Sequence, residues 1–310
     1  MPVARLDPAD QSRRVPHSVR LVLGVLRYAR RLPTHAFIQA HRADVANAVR
    51  LISRAPLTYF VHTQESGLTG ATSDSFWRRA GSIHSRIENA AISRAESVAV
   101  FNPTYGAELN ARNPHVHPFP TWFDPDLVSA SPNRVDRSIV WVGRMETPKD
   151  PVLALNAFKQ LLASSDDAWT LNMVGSGTLD SELASAASAL DGVTLHGRMS
   201  PESVARMLAQ SDVFLMTSFP GYEGFPRVLV EAMASGARPI VTKGADTGGL
   251  VREGSTGHVA ATRDPAEIAQ LIAGSGEIDR DRVRDAVAEL SAPAVIGRLY
   301  SSSESTSAAR

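Results

Sequence analysis

The chain has 310 residues, of which 43% are hydrophobic, and its 32 basic and 32 acidic residues leave no formal net charge. This balance predicts a globular chain of about two domains and argues against nucleic-acid binding through a broad basic field. The chain has no cysteine, so disulfides, thiolate nucleophiles and zinc–thiolate sites are excluded, and a cytoplasmic location is expected. No apolar run reaches the ~20 residues that a membrane span requires.

The first third of the chain opens with a basic helix and continues as an α/β pattern. The helix spans about residues 17–31, and its arginines either face water while its apolar side packs in the core, or make a peripheral contact with an anionic membrane surface. Helical stretches near 44–53 and 76–94 separate apolar runs, and this alternation is typical of a mainly parallel sheet. The runs predicted as strands are Ala36–Ala40, Leu57–Val61, Ser97–Phe101 and His115–Phe119.

A proline-rich segment then marks a domain boundary. Four prolines crowd a polar stretch there, and helices and central strands both reject prolines at this density. We therefore predict an N-terminal domain over residues 1–120, a linker over 121–137 and a second domain over 138–290. Residues 291–310 form a C-terminal segment whose serine-rich end is expected to be a disordered tail.

The second domain alternates strands and helices more regularly than the first. The predicted strands are Ser138–Val142, Trp169–Val174, Val193–His196, Val213–Thr217 and Arg238–Thr242. The predicted helices lie near 151–163, 179–190, 201–210, 226–235, 265–273 and 279–290. Five strands alternating with helices predict a doubly wound, Rossmann-like domain, in which a ligand lies outside the carboxyl ends of the strands.

Two glutamates eight positions apart flank the start of a helix that follows an apolar strand. Glu223 lies in the turn before this helix, and Glu231 lies two turns into it. Gly224, Phe225 and Pro226 lead into the helix, whose first free amides and positive dipole end attract phosphates. Two carboxylates that can accept hydrogen bonds from hydroxyls, with an anion site nearby, suit a nucleotide-sugar. Taken alone, Glu231 is equally consistent with a surface glutamate.

The residues around these two carboxylates carry a family resemblance. Glu223-Gly-Phe stands before the helix, and Glu231-Ala-Met-Ala-Ser-Gly stands within it. The segment resembles the E-x7-E signature of retaining glycosyltransferases of the GT-B fold, particularly the large family 4. The resemblance covers most of residues 36–300. It implies an α/β chain with two Rossmann-like doubly wound domains facing across a cleft. The N-terminal domain is expected to be shortened and incomplete, because no strand with a glycine-rich loop precedes Ala36.

Three glycines and two cations follow the first two strands of the second domain. Gly143 allows a tight turn, after which Arg144 and Lys149 can point towards a common anion. In the family resembled, the corresponding arginine and lysine hold the donor diphosphate and neutralise charge on the departing nucleotide. Gly175 and Gly177 fit the family's glycine loop beside the donor site. Without the resemblance, the cations would suit a solvated basic loop and the glycines a tight strand–helix turn.

The resemblance also assigns roles to the remaining candidate residues. It places His62, at the end of a first-domain strand, opposite the donor sugar, although a structural histidine is the alternative there. His62, Arg144, Lys149 and Glu223 are the predicted catalytic residues. Glu223 is expected to hold hydroxyls of the donor sugar rather than to act as a nucleophile, and Glu231 is expected to hold the ribose.

No metal ion or cofactor is expected. Asp124 and Asp126 match a D-x-D pattern, but they lie in the proline-rich segment, and no histidine–carboxylate cluster has the spacing of metal ligands. Arg144 and Lys149 can supply the positive charge that a metal ion would otherwise provide at a diphosphate. The nucleotide-diphosphate sugar is therefore expected as a donor substrate in a metal-independent reaction.

The resemblance implies transfer of a sugar to a hydroxyl of an acceptor glycan, lipid or small molecule, with the anomeric configuration retained. An alternative is a truncated, non-catalytic protein that binds nucleotide-sugar or serves as a partner subunit. Another GT-B enzyme, such as a sugar-nucleotide epimerase, fits the E-x7-E segment less closely. The protein is expected in the cytoplasm, where the helix at 17–31 would allow contact with a membrane surface.

Overall fold

The structure, a computed structural model, describes residues 23–25, 27, 38–61, 81–111 and 113–299. His62, most of the predicted helix at 17–31 and the C-terminal tail lie outside these residues; residues 23–25 and 27 are helical. The described chain divides into two compact units, a first that ends at Phe119 and a second that begins at Pro120.

The first unit is a four-stranded parallel sheet with helices between its strands. The strands, numbered β1 to β4, are Ile38–Ala40, Leu57–Val61, Ser97–Val100 and Val116–Pro118. The helices, numbered α1 to α3, are Ala43–Arg50, Gly81–Arg94 and Pro103–Asn110. The strands lie in the order β1-β2-β3-β4, and every neighbouring pair is parallel. The α/β pattern predicted for this part of the chain is confirmed, with α3 as an addition.

The core of the first unit forms because β2 and β3 carry almost continuous apolar residues. All five residues of β2 are buried, and the side chains of Val98 and Val100 in β3 have no exposed surface. Such runs are expected for strands of a parallel sheet that are covered on both faces. Ala46 and Val49 of α1 and Ile92 of α2 pack against these strands in one cluster.

The second unit is a six-stranded parallel sheet rather than the five-stranded one predicted. The strands, numbered β5 to β10, are Ser138–Val142, Thr170–Val174, Val193–Leu195, Val213–Met216, Arg238–Thr242 and His258–Ala260. Six α-helices, numbered α4 to α9, are Pro151–Ser164, Asp180–Ala187, Pro201–Gln210, Arg227–Ala234, Pro265–Gly274 and Arg280–Asp285. Residues 292–299, at the end of the described chain, are also helical. Single 3-10 turns lie at Thr147–Lys149, Ser275–Glu277 and Ala288–Leu290.

The strand order of this second sheet is β10-β9-β8-β5-β6-β7. Counted from β5, this is the doubly wound order 3-2-1-4-5-6 of a Rossmann-like domain. The chain builds the sheet outwards from β5 in one direction through β6 and β7, then returns to add β8 on the other side of β5. The order therefore reverses between β5 and β8.

The core of the second unit surrounds β5, β6 and β8. Ile139, Leu171 and Val213 are buried on these three strands, and Phe158 and Leu161 of α4 cover them without any exposed surface. The cluster also includes Leu183 of α5, Ile240 of β9, Ala260 of β10 and Ile268 of α8. This packing fixes where each strand ends, and so where the following loops lie.

The segment predicted as a linker, residues 121–137, contacts the second unit along its length. Phe123 forms a parallel bridge with Ser291, and its amide donates to the Leu290 carbonyl at 3.0 Å. The Val135 amide donates to the Gln210 carbonyl at 2.8 Å, and Val128 is buried. The segment thus supplies part of the surface of the second unit.

None of the helices in the described ranges is both long enough and apolar enough to cross a membrane.

Candidate functional site

The strand reversal between β5 and β8 defines the candidate site of the second unit. Two loops leave the carboxyl ends of these neighbouring strands, residues 143–150 after β5 and residues 217–226 after β8. The chain continues from β5 to β6 on one side of this point and from β8 to β9 on the other side. The two loops therefore diverge and leave a crevice, which is where open α/β sheets bind their ligands. Seven of the residues predicted for the site lie on these two loops.

Lys149 and Glu223 join the two loops across this crevice. The Lys149 Nζ atom lies 2.6 Å from the Glu223 Oε1 atom, and the two side chains are only 15% and 10% exposed. The Ser218 hydroxyl donates to the same carboxylate oxygen at 2.5 Å. A charge-assisted hydrogen bond at low exposure is screened little by water, so it fixes both loops strongly. The structure therefore brings together two residues that the sequence places 74 positions apart.

Arg144 and Lys149 share an aromatic neighbour, Tyr222. The Arg144 guanidinium donates to the Tyr222 hydroxyl and pairs with Glu146. The Arg144 Cζ atom and the Lys149 Nζ atom each lie 5.9 Å from the centre of the Tyr222 ring. Arg144 remains 59% exposed, so its guanidinium can still reach a dissolved anion. Two cations thus lie beside one ring at the switch point.

Gly175 and Gly177 let the loop after β6 pack against the loop after β5. Gly175 has a φ of +137°, and a Cβ atom there would lie 1.7 Å from the Gly143 carbonyl oxygen. A Cβ atom on Gly177 would lie 2.3 Å from the Met145 carbonyl oxygen. The Gly143 amide donates to the Val174 carbonyl at 3.0 Å. These glycines are therefore required by contact of one backbone with another, which sets the position of Arg144.

The start of α7 lies immediately after Glu223. The helix begins at Arg227, one residue later than predicted, and Pro226 at its N-cap supplies no side-chain hydrogen bond. Phe225 is buried against Gly248, where a Cβ atom would lie 2.6 Å from the ring, and the Thr247 hydroxyl donates to the Gly224 carbonyl. The first amides of α7 therefore have no side-chain cap and remain suited to an anion.

Glu231 lines a cavity of about 340 Å³ beside α7. The walls of the cavity are mostly apolar, and the lining residues are Leu127, Val128, Met199, Pro201, Val204, Ala205, Arg227, Val228 and Glu231. Arg227 Nε donates to Glu231 Oε1 at 2.8 Å. Burial raises the pKa of Glu231, and the nearby Arg227 charge partly opposes this rise. A carboxylate in an apolar recess suits a flat ring that carries hydroxyls.

The predicted site residues that the structure describes therefore fall into four groups. Arg144, Lys149 and Glu223 meet at the switch point, and Gly143, Gly175 and Gly177 pack the neighbouring loops. Gly224, Phe225 and Pro226 lead into α7, whereas Glu231 lines the separate apolar cavity with Arg227 as its ion-pair partner. His62 lies outside the described residues, so its predicted place in the site stays a prediction.

The structure adds polar residues that the sequence analysis did not include. Ser218 and Tyr222 follow β8 and contact Glu223 and Arg144 respectively, and their position after an apolar strand was the available signal. Arg263, which follows β10, contacts the Asp150 carboxylate at 2.6 Å across 113 positions of sequence. No local sequence pattern predicts a contact between residues so far apart in the chain.

No cluster of three or more metal-ligating side chains occurs within the described ranges of the chain. Asp124 and Asp126, which match D-x-D, form a local turn in which the Asp126 amide donates to the Asp124 carboxylate at 3.0 Å. One oxygen of the Asp124 carboxylate therefore already accepts a hydrogen bond from the neighbouring backbone. The expected independence from metal ions stays a prediction.

Comparisons with known proteins connect this site to a family. Residues 136–275 match the family described as glycosyl transferases group 1. The phosphatidyl-myo-inositol mannosyltransferase of Mycobacterium leprae (strain TN) is 26% identical over 160 residues, which are 49% of this chain and 42% of that protein. The putative colanic acid biosynthesis glycosyltransferase WcaL of Escherichia coli (strain K12) is 28% identical over 174 residues, 54% of this chain and 42% of that protein. The chain thus spans less than half the length of these curated relatives.

The fold is similar to that of solved structures over nearly the whole chain. The crystal structure of Anabaena Alr3699/HepE in complex with UDP and glucose superimposes with a TM-score of 0.74 at 19% identity, covering 92% of this chain and 81% of that one. This likeness shows the predicted GT-B fold with its two Rossmann-like domains. The sequence matches show that residues 136–275, which lie in the second unit, are similar to the group 1 glycosyl transferases.

Proposed function

We propose that the protein is a glycosyltransferase that moves a sugar from a nucleotide-diphosphate donor to a hydroxyl acceptor, with retention of configuration and without a metal ion. The observation that carries the proposal is the Lys149–Glu223 pair at the β5–β8 switch point, with Arg144 beside it. The family match of residues 136–275 and the glycosyltransferases among the relatives support it.

We assign the donor to the second unit in three parts. The base and ribose occupy the apolar cavity, where Glu231 accepts hydrogen bonds from the ribose hydroxyls. The diphosphate lies against Arg144, Lys149 and the uncapped start of α7. The transferred sugar lies next to Glu223, whose carboxylate accepts from its hydroxyls. UDP in the Anabaena structure makes uridine nucleotides the first donors to test.

The residues at the switch point suit a front-side displacement. The bond between the anomeric carbon and the diphosphate oxygen breaks, and the acceptor oxygen bonds to that carbon from the same face. The acceptor proton passes to the departing phosphate oxygen, so no protein nucleophile is needed. Negative charge grows on the diphosphate during this step, and Arg144 and Lys149 stabilise it where a metal ion would otherwise act.

The acceptor side of the reaction is assigned to the first unit. We propose a glycan, lipid or small-molecule hydroxyl as the acceptor and His62 as a contact to the donor sugar, both following from the family resemblance. Two relatives named for phosphatidyl-myo-inositol and for colanic acid biosynthesis fit acceptors of the lipid and glycan classes. Peripheral membrane contact through the helix at 17–31 is part of this proposal.

Release of nucleoside diphosphate from UDP-, GDP- and ADP-sugars tests the proposed reaction. The protein is incubated with each donor in the presence and absence of EDTA, and with and without simple glycoside acceptors. The anomeric configuration of any product is determined by NMR. We expect turnover of one donor, unaffected by EDTA, and a product that retains the configuration. Arg144→Ala should lower turnover about 100-fold or more, whereas the exposed Lys159→Ala control should match the native chain.

Three results would contradict parts of this proposal. Inversion at the anomeric carbon would overturn the front-side step, and loss of turnover with EDTA would overturn metal independence. Equal turnover by the native chain and Arg144→Ala would remove the assigned role of the cations.

A further inference from the structure

Arg263 lies three residues beyond the end of β10, yet its side chain reaches the two loops of the switch point. Its Nη2 atom donates to Asp150 Oδ2 at 2.6 Å and to the Thr217 carbonyl at 2.7 Å. Its Nη1 atom donates to the Ser218 carbonyl at 3.2 Å, and its Cζ atom lies 4.1 Å from the centre of the Phe219 ring. One guanidinium therefore contacts both loops at once.

Each of these contacts falls on a neighbour of a residue assigned to the donor site. Asp150 directly follows Lys149, and Ser218 donates to the Glu223 carboxylate. The Phe219 amide in turn donates to the Pro148 carbonyl at 2.9 Å. Arg263 thus acts on Lys149 and Glu223 through the residues beside them.

The Lys149–Asp150 turn needs such restraint because its backbone is strained. Asp150 has a φ of +46°, a left-handed conformation that is unfavourable for a residue with a Cβ atom. Asp150 Oδ1 accepts from the Leu153 amide at 3.1 Å and caps α4, which leaves Oδ2 to Arg263. The Thr217 hydroxyl lies 2.9 Å and 2.7 Å from the Lys149 and Asp150 carbonyl oxygens. Arg263 joins both the strained turn and the carbonyl of that threonine.

We propose that Arg263 is a positioning residue, which holds the turn at Lys149 and the segment 217–219 together so that Lys149 meets Glu223 at the switch point. The planar guanidinium is required, because it supplies three directed donors and a flat face on Phe219. A lysine could replace the charge near Asp150 but not the fork. The consequence for catalysis rests on the proposed function, whereas the positioning itself does not.

Hydrogen–deuterium exchange tests the positioning without any ligand. The native chain is compared with Arg263→Gln, Arg263→Lys and the exposed control Arg252→Gln. We expect faster exchange in both loops, residues 144–150 and 217–224, in Arg263→Gln, with Arg263→Lys intermediate. The loop at 175–179 and the Arg252→Gln protein should match the native chain. Unchanged exchange in either loop, or a uniform rise over the whole unit, would overturn the proposal.

A second measurement connects the positioning to the diphosphate. Calorimetric affinities for UDP and uridine, or for the guanosine or adenosine pair if the native chain prefers it, are compared in native and Arg263→Lys proteins. We expect the affinity for the diphosphate to fall about tenfold, because a misplaced Lys149 makes a weaker charge-assisted hydrogen bond to the phosphates. The affinity for the nucleoside, which lacks phosphates, should be unchanged. Equal losses for both ligands would contradict selective positioning. If no diphosphate binds the native chain, the proposed function fails, while the exchange experiment still decides the role of Arg263.

Discussion

Gly175 shows how closely single residues constrain the candidate site. A side chain at this position would meet the Gly143 carbonyl at 1.7 Å and would also have to adopt a φ of +137°. Gly175→Ala should therefore lower the free energy of unfolding by more than about 3 kcal/mol, since a strained φ alone costs roughly 1–3 kcal/mol. Chemical denaturation provides the measurement.

Gly254→Ala is the matched control for this substitution. Gly254 also has a positive φ, +67°, but no atom lies within 4 Å of the position of its Cβ. Gly254→Ala should lower the free energy of unfolding by only about 1 kcal/mol, which is the cost of placing alanine in a left-handed backbone conformation. Similar losses in the two variants would show that the contact between the two glycine loops is not close in solution.

Glu231 gives the site a pH dependence whose sign follows from its surroundings. Burial raises the pKa of this carboxyl above that of an exposed glutamate, so the folded chain holds the proton more tightly than the unfolded chain. The stability contributed by the protonated group is fully present below the ordinary glutamate pKa and is lost as the pH rises through the raised value. Glutamine does not ionise, so Glu231→Gln does not lose stability as the pH rises through this range.

The melting temperature of Glu231→Gln relative to the native chain should therefore increase from pH 4 to pH 7. Arg227, the partner left behind, is 58% exposed and can be solvated by water. A difference that is constant over this range, or that is largest at pH 4, would show that the folded-state pKa of Glu231 is not raised. Nucleotide is left out of these scans, because it would stabilise the folded state by mass action.

At the scale of residues, the sequence predicted the charged groups but not what supports them. Arg144, Lys149 and Glu223 were found because a family resemblance carried them, and the structure brings these three together. Ser218 and Arg263 were missed because their contacts depend on which strands become neighbours. That order is a property of the folded sheet and leaves no trace in local periodicity.

At the scale of elements, the strongest apolar runs were predicted with their bounds and the weakest were missed. Ser138–Val142 and Arg238–Thr242 match the structure at both ends. β10, at His258–Ala260, was missed because three residues with one buried side chain make no apolar run. α3 was missed as well, although Asn102 caps it by accepting from the Tyr105 amide and Pro103 begins it. Those two residues are a start signal that could have identified this helix.

Arg134 joins the carboxyl ends of two helices, α6 and α7. Its guanidinium donates to the carbonyls of Ser211 and Ser235, which are the C-cap residues of these helices. Burial, together with the nearby charge of Arg280, lowers the pKa of Arg134 to about 10. Keeping this guanidinium charged in the folded protein therefore costs free energy. Its hydrogen bonds to the two helix ends, where the dipoles are negative, offset this cost.

Arg134→Met should consequently lower the free energy of unfolding by about 1–3 kcal/mol, the range for lost hydrogen bonds to charged groups. Methionine retains most of the apolar stem, so the loss reports on the guanidinium. Arg206→Met, at an exposed position of α6, should stay within about 0.5 kcal/mol of the native chain. Equal stability of the Arg134→Met and native proteins would show that the two helix ends do not need this connection.

At the scale of the whole molecule, the GT-B fold was predicted, whereas the strand order of its second domain was not. Alternating strands and helices predict a parallel sheet, but only the pairing of β5 with β8 locates the reversal that makes a crevice. The predicted incompleteness of the N-terminal domain stays a prediction. Of the predicted helix at 17–31, the structure describes only residues 23–25 and 27, which are helical.

The central claim is that the crevice between β5 and β8 binds a nucleoside diphosphate. Titration calorimetry of the native chain with UDP, GDP and ADP, repeated on Arg144→Ala and Lys159→Ala, tests this claim most directly. We predict that one diphosphate binds the native chain and Lys159→Ala equally, and binds Arg144→Ala about tenfold more weakly, as expected for loss of one charge-assisted contact. Absence of binding by all three nucleotides, or equal affinity in Arg144→Ala, would contradict the account.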